Sequence, residues 1–178
     1  MTGKQMHMQW YALRVRSNQE SIAETILDGK GYQPFLPRYR STRTWSDRTK
    51  VIQKPLFPGY LFCEFDVTRR APVVTVRSII QVVGFGQGPM PVDATELEQV
   101  RRAIGSGMSI EPRRHFESGQ LVQVQEGPLT GLKGIFVRRH GVNRLVLSLT
   151  LIQRSIAVEL DACTVTPIRP ILQRAIAS

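Results

Sequence analysis

Histidine and cysteine are scarce in this chain, with three of one and two of the other among 178 residues. His7, His115 and His140 are scattered, and no Cys/His spacing suits a metal site. Cys63 and Cys163 lie far apart in apolar, strand-like sequence, which fits reduced cytosolic thiols better than a disulfide framework. No apolar run approaches the ~20 residues that span a bilayer. The opening Met1-Thr2-Gly3-Lys4-Gln5 lacks the apolar region of a signal peptide. The expectation is a cytoplasmic protein with no membrane partner. Gly84-Phe85-Gly86-Gln87-Gly88-Pro89 ends in proline and opens no helix, so it is no phosphate cradle. Glu96 and Glu98 stand two apart on a helix and face different ways. Nothing here argues for a catalytic residue, a metal or a cofactor, and the chain reads as no enzyme.

Acidic residues are also short. Lys and Arg number 24 against 14 Asp and Glu, a net charge of +10, which points to nucleic acid, a membrane surface or an acidic partner. Residues 38–54 carry Arg38, Arg40, Arg43, Arg48, Lys50 and Lys54 against Asp47 alone, half of that net charge, with Tyr39 and Trp45 interleaved. Attraction to a phosphate backbone is one reading and a solvated hairpin tip the other.

The length suits one medium domain or two small ones, and 42% apolar residues provide a core. The stretch Lys54-Pro55-Leu56-Phe57-Pro58-Gly59-Tyr60-Leu61-Phe62-Cys63-Glu64-Phe65 is apolar at nearly every position after its Pro-Gly break. Such a strand needs covers on both faces. With helices on one side only, the other face would stand bare as a partner site; an ordinary central strand is the alternative.

Tyr11, Leu13 and Val15 alternate in a first strand over residues 10–16. Ser17 with Glu20 signals a capping box, and Ile22, Ala23, Ile26 and Leu27 form a helical stripe stopped by Gly29 and Gly31. Residues 32–45 read as extended, with Ser46-Asp47-Arg48 at the tip of a long hairpin. Asp66 or Thr68 caps a short helix with Pro72 in its first turn. Residues 79–85 form a strand, and Asp93 caps a helix carrying Leu97, Val100 and Ile104. Strand, helix, strand, strand, helix, strand is the ferredoxin-like order, which puts the helices on one sheet face. Residues 105–115 read as a linker, and five short strands follow (121–124, 135–138, 144–149, 156–160 and one near Val165), as in a small closed barrel. The fold class is α+β, with domains at 1–104 and 117–178 and a flexible linker at 105–116.

Trp10-Tyr11-Ala12-Leu13, Leu56-Phe57-Pro58-Gly59-Tyr60-Leu61-Phe62 and Gly127-Pro128-Leu129-Thr130-Gly131-Leu132-Lys133-Gly134 resemble the NusG family. The first two look like its N-terminal NGN domain, the third like a KOW motif in an SH3-like barrel. Trp45-Ser46-Asp47-Arg48, Gly127-Pro128-Leu129 and Val158-Glu159-Leu160-Asp161 look more like its specialised RfaH-like, capsule-operon antiterminators. The resemblance implies a bacterial transcription elongation and antitermination factor, a monomer that docks on the clamp helices of RNA polymerase beside the DNA of the transcription bubble. The polymerase-binding residues it implies are Trp10, Arg14, Phe57, Pro58 and Tyr60. Weak DNA contact falls to Arg38, Arg40, Arg43, Arg48 and Lys50. The KOW domain would meet the ribosome or Rho through Leu129, Leu151, Ile152 and Arg154. Two departures stand out. Thr68-Arg69-Arg70-Ala71 replaces the His-Thr-Thr element of RfaH-like proteins, and Leu129 stands where housekeeping NusG has Phe. A KOW-type RNA-binding or ribosome-associated protein is the alternative.

Overall fold

The computed structural model describes residues 7–44, 49–113, 119–139, 141–160 and 165–168. Strand β1 (Met8–Val15) is followed by helix α1 (Glu20–Gly29), the short strand β2 (Gln33–Phe35), and a hairpin of β3 (Arg38–Thr44) and β4 (Thr49–Pro55). Strand β5 (Tyr60–Asp66), helix α2 (Ala71–Val74) and strand β6 (Ile79–Val82) complete a four-stranded sheet of order β2-β5-β1-β6. The pairing of β1 with β5 is antiparallel and sets Tyr11 opposite Cys63 and Leu13 opposite Leu61. Two-residue alternation therefore sends Tyr11, Leu13, Val15, Leu61, Cys63 and Phe65 to one face. There they are buried with Ala23 and Leu27 of α1 and Val73 of α2. Each such large apolar side chain is worth about 1.5–3 kcal/mol of burial. The rings of Tyr11 and Phe65 meet at a tilt of 39° with centres 4.9 Å apart.

The predicted short helix over Pro72 is present, after a 3-10 turn at Val67–Arg69 capped by Asp66, whose carboxylate accepts from the Thr68 amide. Helix α1 starts two residues later than its capping-box signal. Gln19 is the N-cap, Asn18 takes a left-handed φ of 62°, and Glu20 is turned inward. Of the apolar stripe, Ala23 and Leu27 are buried, while Ile22 and Ile26 are exposed on the outer flank.

The expectation of helices on one sheet face is corrected. Beyond β6 the chain leaves the edge in a small hairpin, β7 (Gly84–Phe85) and β8 (Gly88–Pro89), then rejoins β1 where the Val92 amide bonds the Trp10 carbonyl at 2.7 Å. A Cβ on Gly84 would lie 1.9 Å from the Gly88 carbonyl oxygen, so this hairpin demands glycine. Re-entry beside Trp10 delivers helix α3 (Ala94–Gly105) to the opposite face. Asp93 caps it by accepting from the amides of Thr95 (2.7 Å) and Glu96 (3.3 Å). Leu97, Val100 and Ala103 are buried in one cluster with Ala12, Phe57 and Phe62. An apolar residue on each side of the central strand needs two covers, and the fold supplies both.

Strands β9 (Ile110–Arg113), β10 (Gln120–Val124), β11 (Lys133–Arg139), β12 (Val142–Leu149), β13 (Arg154–Glu159) and β14 (Val165–Pro167) form a six-stranded antiparallel sheet of order β14-β10-β11-β12-β13-β9. It wraps a core of Val122, Val124, Leu145, Leu147, Leu149, Ile156 and Val158. Strand β9 lies inside the stretch expected to be linker and pairs with β13. The second domain is also not loosely tethered. Glu96 of α3 accepts from the Thr150 amide (2.9 Å) and hydroxyl (2.5 Å), and Arg102 donates to the Thr130 carbonyl at 2.6 Å. Helix α3 is thus packed between the sheet and the barrel, and one buried cluster runs through both. Among the described residues, no helix is long and apolar enough to cross a membrane and no His/Cys/Asp/Glu group is placed to hold a metal.

Candidate functional site

The face of the sheet under α3 brings together most of the predicted protein-contact residues. Opposite pairing of Trp10 with Glu64, Ala12 with Phe62 and Arg14 with Tyr60 puts these six on one side, joined by Phe35, which pairs with Phe62. Helix α3 seals Ala12 and Phe62. Trp10, Phe35 and Tyr60 remain half-buried at its margin, and Arg14 and Pro58 are exposed. Phe57 is different. It is 1% exposed and meets Phe62 edge-on, with ring centres 6.0 Å apart. The expected contact aromatic is a core residue, because the tight turn from Phe57 to Tyr60 (amide to carbonyl, 3.0 Å) swings it inward and Pro58 outward.

That turn is fastened by a residue whose role the sequence hides. Glu20, 5% exposed, accepts from the Gly59 amide at 2.8 Å. Gly59 holds φ +83°, a conformation side chains resist, and its carbonyl accepts from Val15 at 2.8 Å. Glu20→Ala leaves a half-buried amide without its charged acceptor, and is expected to cost about 1–3 kcal/mol. Glu20→Gln keeps an acceptor oxygen and should retain most of the stability. Thermal unfolding with exchange of the Gly59 amide measures this; equal melting of wild type and Glu20→Ala would rule the latch out.

Arg101 and Phe35 also escaped the sequence pattern. Arg101 of α3 lays its guanidinium 4.3 Å from the Trp10 ring centre and 4.7 Å from that of Phe35. Only the alternation of Trp10 and Phe35 on the two strands that flank β5 could have hinted at such a slot.

The basic hairpin is present, with Arg38 opposite Pro55 and Arg43 opposite Lys50. Arg40 and Lys50 are exposed. Arg38 is committed to structure: it pairs with Glu24 of α1 and donates to the Ser21 hydroxyl at 3.2 Å, which ties the hairpin base to the helix. The Arg43 side chain, Trp45 and Arg48 lie outside the described residues, as does Cys163. Cys63 is fully buried, and burial, with the Glu64 carboxylate adding to it, pushes its thiol pKa up to about 12. It holds no thiolate at neutral pH.

Comparison with known proteins decides the family. A profile described as "Transcription termination factor nusG" matches residues 8–101, from the start of β1 to Arg101. The chain belongs to the NusG family. The transcription termination/antitermination protein NusG of Neisseria meningitidis serogroup B is 26% identical over 171 residues, covering 88% of this chain and 96% of that protein. Its counterpart in Buchnera aphidicola from Baizongia pistaciae is 28% identical over 173 residues, covering 89% and 95%. The solved structure titled "Domain interaction in Thermotoga maritima NusG" superposes with a TM-score of 0.51 at 20% identity, covering 85% of this chain and 92% of that one, so the two share a fold. The α+β architecture of an NGN and a KOW domain is that of the NusG family.

Within the KOW domain the predicted partner residues scatter. Leu129 is fully buried: its turn, with left-handed Gly127 and Gly131 and a Thr130 amide bonded to the Gly127 carbonyl, folds the side chain into the barrel. Ile152 is buried as well, in the 3-10 turn Thr150–Ile152 that faces Glu96. Leu151 and Arg154 are half-exposed.

Proposed function

We propose that this NusG-family chain is a bacterial transcription elongation and antitermination factor whose N-terminal domain binds RNA polymerase at the clamp helices. The observation that carries the reading is the shared face on which half-buried Trp10 and Tyr60 stand beside exposed Arg14 and Pro58. Half-buried aromatics with an arginine at their edge are what a protein hot spot needs. Co-elution of the chain with RNA polymerase core at moderate salt tests it. Binding that survives Trp10→Ala combined with Tyr60→Ala would place the contact elsewhere.

The KOW domain supplies the second contact, to the ribosome or Rho, through Leu151 and Arg154; burial removes Leu129 and Ile152 from it. The domains divide at about residue 105, and the chain acts as a cytoplasmic monomer with no cofactor and no catalytic step. The narrower reading, service to a capsule operon as in RfaH-like members, rests on motif resemblance alone, since the relatives above bear the general name NusG. Genome-wide polymerase occupancy separates the two: one operon for a specialist, most genes for a general factor.

The hairpin of β3 and β4 lies against DNA beside the polymerase and binds it weakly. Replacing Arg40, Arg43, Arg48 and Lys50 with Gln is expected to lower the salt dependence of DNA binding by about 0.7–0.9 in log–log slope per lost phosphate contact. Binding to polymerase through the sheet face should change little. An unchanged slope would make the hairpin a solvated tip.

A further inference from the structure

Arg101 is held in an unusual way for a surface residue. Its guanidinium carbon lies over two rings, 4.3 Å from the centre of Trp10 and 4.7 Å from that of Phe35. Cation–π contact of this kind restrains the side chain and leaves the N–H edge to bond. That edge is poorly used. Among the described residues its one carboxylate partner, Glu98 one turn back on α3, stands 3.9 Å away and is mostly exposed, whereas the Arg101 side chain is 35% exposed. Arg38, by contrast, spends its edge on Glu24 and Ser21. Arg101 is a half-open donor fork at the Trp10 end of the proposed contact face.

We propose that Arg101 is the receptor for a single acidic side chain on the RNA polymerase surface that docks on this face, a deepening that rests on the polymerase reading above. A planar fork already held against two rings loses less entropy than a free one when it takes a carboxylate in bidentate fashion. The charge pattern favours a protein over a nucleic acid. Glu64 stands opposite Trp10 on the same face and Glu98 lies beside the fork, so a continuous phosphate chain would meet two carboxylates. A protein surface can bring one acid to Arg101 and apolar groups to Trp10, Tyr60 and Pro58. Arg101 is thus a specificity residue, rejecting surfaces that offer no acid at that point.

The test is titration of full-length chain against RNA polymerase core at several salt concentrations, with Arg101→Met, Arg101→Lys and Arg101→Glu. Arg101→Met keeps an apolar chain against the rings and should weaken binding about tenfold with a shallower salt dependence. Arg101→Lys, which keeps charge without the fork, should fall between, and Arg101→Glu should lose a further factor of about ten. Glu98→Gln should bind as wild type or tighter. Melting temperatures identify any variant that has simply lost its fold, and Arg101→Met is the one expected to keep it. If wild type fails to bind polymerase, the polymerase reading itself is wrong. If wild type binds and Arg101→Met matches it within twofold at every salt concentration, the receptor is overturned and Arg101 only packs. Equal losses toward bare single-stranded DNA would overturn it in favour of a phosphate, and a wild-type dimer that Arg101→Met dissociates would overturn it in favour of a second copy of this chain.

Discussion

Phe57→Ala is expected to cost about 3–5 kcal/mol of folding stability, the range for emptying an aromatic site in a packed core. The side chain is among the largest fully buried ones and contacts Phe62 edge-on in the cluster that also holds Leu97 and Val100. Removing it opens a void at the junction of the sheet and α3, and α3 in turn carries the barrel through Glu96 and Arg102. The loss should therefore be felt in both domains. Tyr60→Ala is the informative contrast. Tyr60 is half-buried beside exposed Arg14, so its truncation should cost stability less and polymerase binding more, about 1–3 kcal/mol. Denaturant unfolding and polymerase titration of both variants separate the two roles. A Phe57→Ala protein that melts like wild type yet fails to bind polymerase would return Phe57 to the contact surface.

The contrast also shows what was legible in the sequence. Alternation gave the faces of β1 and β5 correctly, because a strand's period of two is set by the backbone alone. It could not tell that Phe57, three residues before β5 begins, turns inward, since a Pro-Gly turn decides that and the deciding bond to Gly59 comes from Glu20, 39 residues away in sequence. Glu20 itself read as a helix cap by local spacing, and only the tertiary structure shows it serving a distant amide. Leu129 failed in the same manner, being placed by a turn with two left-handed glycines. Strand β9 was hidden by Pro112, a strand breaker in general but tolerated here because β9 is an edge of its sheet. The second face of the sheet was read as bare because the ferredoxin-like order says nothing about the β7–β8 excursion that carries α3 across. The slot for Arg101 needed Trp10 and Phe35 from two strands and a helix turn from a third segment, which no local pattern reports.

Gly134→Ala is expected to weaken the barrel and leave no helical form in its place. Leucine-rich residues 144–152 could support a helix, and the RfaH-like resemblance raises the question of a KOW domain that refolds. The structure places Gly134 on β11 opposite Val122, where an added Cβ would lie 2.6 Å from the Val146 carbonyl oxygen and 3.0 Å from a Leu145 methyl. The backbone oxygen cannot retreat without breaking the β11–β12 ladder, in which Ile135 faces Val146. Overpacking of this kind costs about 1–3 kcal/mol or more. In a helix the same change is favourable by about 1 kcal/mol. The substitution thus tilts the balance from barrel toward helix by about 2–4 kcal/mol, enough to reveal a helical state lying close in energy. Gly127, Pro128, Gly131 and Gly141 still oppose a helix through the same region, and three of those glycines hold left-handed φ in the barrel. The expected outcome in the full-length protein is a lower barrel melting temperature, by about 4–8 °C per kcal/mol lost for a domain of this size, with no gain of helical far-ultraviolet dichroism. Helical chemical shifts across residues 144–152 in Gly134→Ala would reverse the conclusion and make this KOW domain a fold-switcher held in its barrel form by a few kcal/mol.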